Sequence, residues 1–248
     1  MKLNLISHFY NEEFLLPWWL DHHAKIFDKI IMINYNSTDK SVEIIKNYSQ
    51  NIEVIDSRNE YFDSHACDQE VMDVETSLDG IKVCLNVTEF LLAGKEKILG
   101  KFKNPHEQSC YAIPRISMVD ENPSIEVGGG DCLLSVKNFG FDSRNVSLYG
   151  NLPYRYIHNY VNGRYHQGRH GTNMSVVGEN FCIFQYKYSP WQQEFIRRKL
   201  QIKDKMSDSD KKSGSGGQHL FTLEQMEHEM KVGIPFCKHH NYLEIMSN

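Results

Sequence analysis

Three stretches of this chain hold groups that could handle an anion or a proton. The first is Asn86-Val87-Thr88-Glu89, a polar tip that ends the apolar run Ile81-Lys82-Val83-Cys84-Leu85 and is followed by Phe90. Asn86 and Thr88 offer neutral hydrogen-bonding groups, Glu89 an anion, and Phe90 an anchor in the core. The second is basic: Arg197-Arg198-Lys199, then Lys211-Lys212, a glycine–serine loop and Gln218-His219. Cations beside a loop whose backbone N–H groups can wrap an anion suit a phosphate chain. The third is Asp131, directly after Gly128-Gly129-Gly130, where glycine lets the backbone approach a ligand closely. A carboxylate there, with Asp120 as second choice, could accept a proton from a hydroxyl. The ordinary alternatives are a solvated basic helix face and a turn aspartate.

The elements that must position these groups alternate. Lys2 to Phe9 reads as a strand ending at Tyr10-Asn11-Glu12-Glu13, and Phe14, Leu15, Trp18 and Trp19 then recur at helical spacing. Asn11 suits the cap of that helix, with glutamates in the first turn, and Pro17 either starts or kinks it. Ile30-Ile31-Met32-Ile33 is a continuous apolar run, as for a strand buried on both faces, ending in Asn34-Tyr35-Asn36-Ser37-Thr38-Asp39. A helix with Val42, Ile45 and Tyr48 inward follows, then a strand at Ile52 to Ile55, a helix from Asp63 to Leu78 and the strand Ile81 to Leu85. Strand–helix alternation with short links implies a mainly parallel α/β sheet. The carboxyl ends of its strands form a ligand crevice, which collects Asn11, Glu12, Asn34, Asp39, Arg58 and Asn86 to Glu89. Arg58 and Asp68 flank the helix that enters it.

The middle is less regular. Pro105, Pro114, Pro123 and the three glycines suggest loops, and Cys132 to Val136 a short hairpin strand. Further on, Ser189-Pro190-Trp191-Gln192 reads as a capping box with proline at the first helical position. The helix it opens pairs Glu194 with Arg198 at four-residue spacing, and Thr222 to Gln225 caps a last helix. With no repeat and no clear linker, residues 1–248 are expected to form one domain, a ligand-binding half (1–90) and a second half (91–248).

Composition excludes some classes. The chain is 40% hydrophobic and 24% charged with net charge −5, so no global basicity points to nucleic acid. No run approaches the roughly 20 apolar residues of a membrane span, and the first residues lack the apolar length of a signal peptide. The six cysteines have no Cys-x-x-Cys pair and read as reduced thiols, mostly core fillers, in a cytoplasmic protein. The basic helix leaves peripheral contact with a membrane surface open.

Phe9-Tyr10-Asn11-Glu12-Glu13, Trp18-Trp19-Leu20 with His22-His23, and Asn34 to Asp39 together resemble glycosyltransferase family 2-like enzymes. The resemblance is carried mainly by residues 1–90, with Arg198-Lys199-Leu200-Gln201-Ile202 and Gly214 to His219 extending it. It implies the GT-A fold, a UDP- or GDP-sugar donor, and transfer to a glycan or lipid-linked acceptor, with inversion. In that family the fourth strand ends in Asp-x-Asp-Glu-Phe, which binds Mn²⁺ or Mg²⁺, and Asn86-Val87-Thr88 stands in its place. Asn34 stands where the family often has an aspartate against the nucleobase or ribose. Hard cations prefer anionic oxygens, so Glu89 and His219 are the remaining candidate ligands and metal dependence should be slight or absent. Charge neutralisation would then fall to Arg197, Arg198, Lys199, Lys211 and Lys212. His158, Arg169 and His170, among tyrosines, would line the acceptor groove. Asp131 is the expected base and Glu89 the other catalytic candidate. Two other readings stay open: a non-catalytic nucleotide-sugar or glycan-binding module, favoured by the neutral tip, and a nucleotidyltransferase on a similar sheet.

Overall fold

The computed structural model describes residues 1–48, 51–104, 106–146 and 152–247; Pro105, expected in a loop, lies outside them. The first half alternates as expected: β1 (Leu3–Phe9), α1 (Leu16–His23), β2 (Lys29–Asn34), α2 (Ser41–Lys46), β3 (Ile52–Asp56), α3 (Ser64–Thr76) and β4 (Ile81–Cys84). The order β3-β2-β1-β4 is parallel throughout. Burial explains the strands: Leu3, Leu5, Ile30, Met32, Ile33 and Val83 are inaccessible to water, which only strands covered on both faces allow. Asp63 caps α3 by accepting from the backbone N–H of His65 and Ala66.

The second half contributes β5 (Glu89–Leu91), α4 (Lys95–Lys101), β6 (Cys110–Val119), α5 (Leu133–Val136), β7 (Phe139–Asp142), β8 (Tyr154–His158), β9 (Val176–Glu179), β10 (Ile183–Tyr188), α6 (Gln193–Lys205), α7 (Asp208–Ser213), α8 (Leu223–Gly233), β11 (Lys238–His239) and α9 (Tyr242–Ser247). Among the described residues, β4 passes to antiparallel β8, β8 to β6, β6 to β7 and β7 to β11, while β10 lies between β5 and β6. β6 is the joint. Its first half pairs with β8 up to Pro114 and its second half with β10 from Arg115. Pro114, expected in a loop, therefore sits inside a strand, where the chain changes partners and a missing N–H costs least.

Four local expectations are corrected. Asn11 does not cap α1, which starts at Leu16 with Leu15 as its cap and Pro17 in the first turn; Asn11 has φ 51° and ties loops together. Cys132 to Val136 is a helical turn and not a strand, because the N–H groups of Ser135 and Val136 both return to the Cys132 carbonyl. Ser189 does not cap α6: that helix begins at Gln193, and the Trp191 N–H goes to Asp120 Oδ2 (2.6 Å). Arg198 does not pair with Glu194, because its guanidinium makes a two-pronged ion pair with buried Glu12 instead. Thr222 and Gln225 do form a capping box at α8.

Of the cysteines, Cys67, Cys84 and Cys110 are buried, Cys182 and Cys237 half-buried and Cys132 exposed, none in a disulfide. Among the described residues no helix is long and apolar enough to cross a membrane.

Candidate functional site

A crevice of about 400 Å³ opens at the carboxyl ends of β1 and β4, as strand polarity requires. Its floor is the β4 tip. Trp19 on α1 fixes this tip by donating its indole N–H to the carbonyls of Asn86 (3.1 Å) and Glu89 (3.0 Å). The chain then enters β5, so Glu89 is a strand residue opposite Gln185 of β10, fully buried and turned inward. Its carboxylate accepts from Arg155 Nε (3.0 and 2.9 Å), Arg115 Nη1 (3.1 Å) and the Asn86 backbone N–H (2.9 Å). Burial alone would raise its pKa; Arg155 and Arg115 more than offset that and hold the group below the usual range. Two guanidinium groups around one carboxylate leave an excess positive charge under the crevice. Burial and Arg155 push Arg115 down to about 10, and its Nε and Nη2 have no hydrogen-bond partner.

The near side comes from α3 and the turn Gln167–Arg169. Asp68 accepts from the Gly168 N–H (2.6 Å) and pairs with Arg169, whose Nη2 also reaches Asn86 Oδ1 (3.3 Å). His170 packs against Arg155, with Arg155 Nη1 3.2 Å from its Nδ1. Burial first, then Arg155 and Arg115, hold His170 neutral, well below the ordinary histidine value. His8, at the end of β1, is kept neutral in the same way, by burial, Arg169 and Arg155.

The far wall is the C-terminal segment. The α6 spacing Phe195, Arg198, Lys199, Ile202 puts Phe195 in the core and the other three on the crevice. Lys187 on β10 stands beside them and pairs with Glu229 of α8 (3.3 Å). Beyond α7 the chain turns back through Gly214 and Gly216, with φ of 77° and 64°, a conformation glycine adopts without strain. That reversal brings Ser215, Gly216, Gln218 and His219 to the crevice. Burial, then Lys199, Arg198 and Lys187, lower the His219 pKa to about 4. A neutral imidazole there can accept a hydrogen bond. Asp210, at the start of α7, also lines the crevice; its oxygens accept from the backbone N–H (2.7 Å) and hydroxyl (2.9 Å) of Ser64. Among the described residues no cation lies within ion-pair distance of it.

The sequence-predicted residues thus separate. Glu12, Asp68, Asn86, Thr88, Arg169, His170, Arg198 and His219 line the crevice. Glu89 lies beneath it, clasped by arginines. The others lie outside its lining. Asn11 braces Thr38 and Gln201; Asn34 is engaged by Asp56 and the Ser37 N–H; Asp39 accepts from the N–H groups of Glu13 and Ser41. Arg58 pairs with Asp73 on the surface (2.5 Å). Lys211 and Lys212 are exposed on α7. Asp131 is an exposed turn residue whose Oδ2 accepts from the Gly128 N–H (2.8 Å). Asp120 is buried against Lys137 and the Trp191 N–H. His158 is buried in a cluster with Tyr165 and Glu75. Arg115, Arg155, Lys187, Asp210 and His8 also line the crevice, and no sequence motif marks them.

The tip does not fit a divalent cation. Glu89 is saturated by arginines, Arg169 stands over Asn86, and His219 faces three cations. Among the described residues no group of three or more His, Cys, Asp or Glu side chains could hold a metal ion. What the crevice can do is receive an anion, with positive charge in its floor and far wall and neutral imidazoles between them.

No protein-family profile matches the chain, and no curated protein matches it. Among solved structures it is similar to S. aureus TarS 1–349, at 15% identity over 83% of this chain and 65% of that one, with a TM-score of 0.44. It is similar to the same protein in complex with UDP, at 17% identity over 52% of this chain and 38% of that one, TM-score 0.36. With UDP-GlcNAc bound, the figures are 17%, 52%, 37% and 0.35. The chain therefore spans less than two thirds of each of those structures.

Proposed function

We propose that the protein is a glycosyltransferase that moves a sugar from a UDP- or GDP-sugar to a hydroxyl of a glycan or lipid-linked acceptor, with inversion and without a divalent cation. The observation that carries this reading is a strand-end crevice lined by Lys187, Arg198 and Lys199 in which, among the described residues, no group of carboxylates could hold a metal ion. Breaking the bond between the sugar C1 and the β-phosphate oxygen leaves the electron pair on the diphosphate. Preorganised cations stabilise that charge in a partly dry site. Here the donors are the cations of the far wall and the Ser215-Gly216 backbone. Asn86 and Thr88 hydrogen-bond the donor. As the acceptor oxygen bonds to C1, its proton passes to a carboxylate. Glu12 and Asp68 are engaged by arginines, which leaves Asp210 in the role the sequence suggested for Asp131. Neutral His170 and His219 serve as hydrogen-bonding groups for sugar hydroxyls.

A panel of nucleotide-sugars, each incubated with the protein and EDTA or Mn²⁺, tests this. Stabilisation against heat by one donor class, and release of its nucleoside diphosphate equally in EDTA and Mn²⁺, is the expected result. Tight binding with no release for any acceptor leaves a binding module. Pyrophosphate release makes the protein a nucleotidyltransferase, and strict dependence on Mn²⁺ overturns the metal-free mechanism.

A further inference from the structure

Every arginine in the crevice is engaged by a carboxylate, and so is Lys187. Arg198 is held by Glu12, Arg169 by Asp68, Arg115 and Arg155 by Glu89, and Lys187 by Glu229. Lys199 is different. Its ammonium donates to a neutral acceptor, the Lys187 carbonyl (2.9 Å), and lies over the rings of Tyr188 (5.0 Å) and Phe195 (5.7 Å). Among the described residues no carboxylate comes within 4 Å of it. We infer that Lys199 supplies the charge that meets the departing diphosphate, and that it takes up a proton as the anion enters. The inference rests on the transfer reading above and adds to it one catalytic residue and a proton linkage.

The surroundings give the reason. Lys199 is faced by Lys187 and Tyr188 from β10, Arg198 from its own helix, Glu229 from α8, Glu12 from the end of β1 and His219 from the returning loop. Burial first, then Arg198 and Lys187, lower its pKa to about 7, against the opposite pull of Glu229 and Glu12. A diphosphate beside it reverses the balance, since an anion at contact distance favours the charged amine. Above neutral pH the empty site holds a neutral amine and the occupied site an ammonium, so each binding event draws a proton from solution. As pH rises past the free-site value, that proton becomes harder to obtain and affinity falls. The arginines cannot behave in this way, because they stay charged whether the site is full or empty.

The test is titration calorimetry with UDP and GDP at pH 8, run in two buffers of different ionisation enthalpy, which gives the number of protons taken up. At that pH the nucleotide's last phosphate ionisation, near ~6, is complete, so any uptake belongs to the protein. The wild type should take up a clear fraction of a proton per nucleotide bound and bind several-fold more weakly at pH 9 than at pH 8. Lys199→Arg should bind with about 0.1 proton or less and a level affinity over the same interval. Lys199→Met should lose at least about tenfold in affinity at pH 7. Both variants remove a half-buried amine that lacks a carboxylate, and their thermal unfolding is to be recorded first. If the wild type binds with no proton uptake, or Lys199→Met keeps both uptake and affinity, Lys199 does not have this role, while the transfer reading stands. A folded wild type that binds neither UDP nor GDP overturns both.

Discussion

The floor and the far wall of the crevice carry the same sign of charge and do opposite things with it. At the floor, Arg115 and Arg155 converge on Glu89, all three nearly inaccessible to water. At the wall, Lys199 is half-buried with a carbonyl and two rings against its ammonium and, among the described residues, no carboxylate within 4 Å. The floor is an internal ion cluster whose carboxylate is fully used. The wall keeps a cation without a carboxylate. A buried charge is tolerated when paired, and an unpaired one is retained where a ligand completes it. Under the proposed transfer, the floor serves stability and the wall serves the chemistry.

The sharpest way to break this comparison is at Glu89. Glu89→Gln leaves two guanidinium groups buried around a neutral amide, and removing one member of a buried ion cluster costs about 3–5 kcal/mol. The urea midpoint should drop accordingly. The folded-state pKa of Glu89 lies below its unfolded value, so its contribution is complete above the unfolded pKa near ~4.3 and disappears as pH falls through the folded value. The variant should lack that part of the acid unfolding curve. A Glu89→Gln protein of normal stability with a specific loss of turnover would make the floor a catalytic element and cancel the distinction.

Next in size is Asp210→Asn. Loss of the proposed general base should lower turnover by about 10²–10³, with nucleoside diphosphate affinity unchanged and the tie to the Ser64 N–H kept by the amide oxygen. A variant that turns over normally reduces Asp210 to a link between the starts of α3 and α7. Ser207 Oγ, which donates to Asp63 Oδ2 (3.1 Å), makes a second link between those helix starts.

The same comparison explains what could be read from the sequence. The parallel half is legible because β1, β2 and β4 are buried and β2 appears as an unbroken apolar run, and α3 because Asp63 and the spacing of Val71 and Val74 mark it. The floor is not. Pro114 signals a loop in isolation, which hides its neighbour Arg115, and only the change of partners along β6 puts both in a strand. In Tyr154 to His158 the aromatic density pointed to His158, whereas strand parity decides the matter. Arg155 and Ile157 share one face, Tyr156 and His158 the other, and Arg155 is on the side of Glu89. Glu89 itself looked like a ligand at a strand end, since nothing local shows that the chain re-enters the sheet as β5. The wall was half legible. The residues Phe195, Arg198, Lys199 and Ile202 follow helical spacing and separate Arg198 and Lys199 from exposed Arg197. Which of the two keeps a free charge depends on Glu12, which lies far away in the chain.

The smallest expected effect lies at the other end of the basic segment and sets the limit of the wall. Lys211 and Lys212 looked from the sequence like part of the phosphate-binding set, yet both project from α7 into solvent while Asp210, one residue earlier, faces the crevice. Exposed charges at such positions act through solvent and are screened over about 8 Å at physiological salt. The double change Lys211→Ala with Lys212→Ala should therefore alter UDP or GDP affinity less than about twofold at that salt, with proton uptake still that of the wild type. At low salt a somewhat larger loss is expected, from long-range attraction alone. A tenfold loss that persists at high salt would show that α7 closes onto the diphosphate, and the wall would then extend from Lys199 through Lys212.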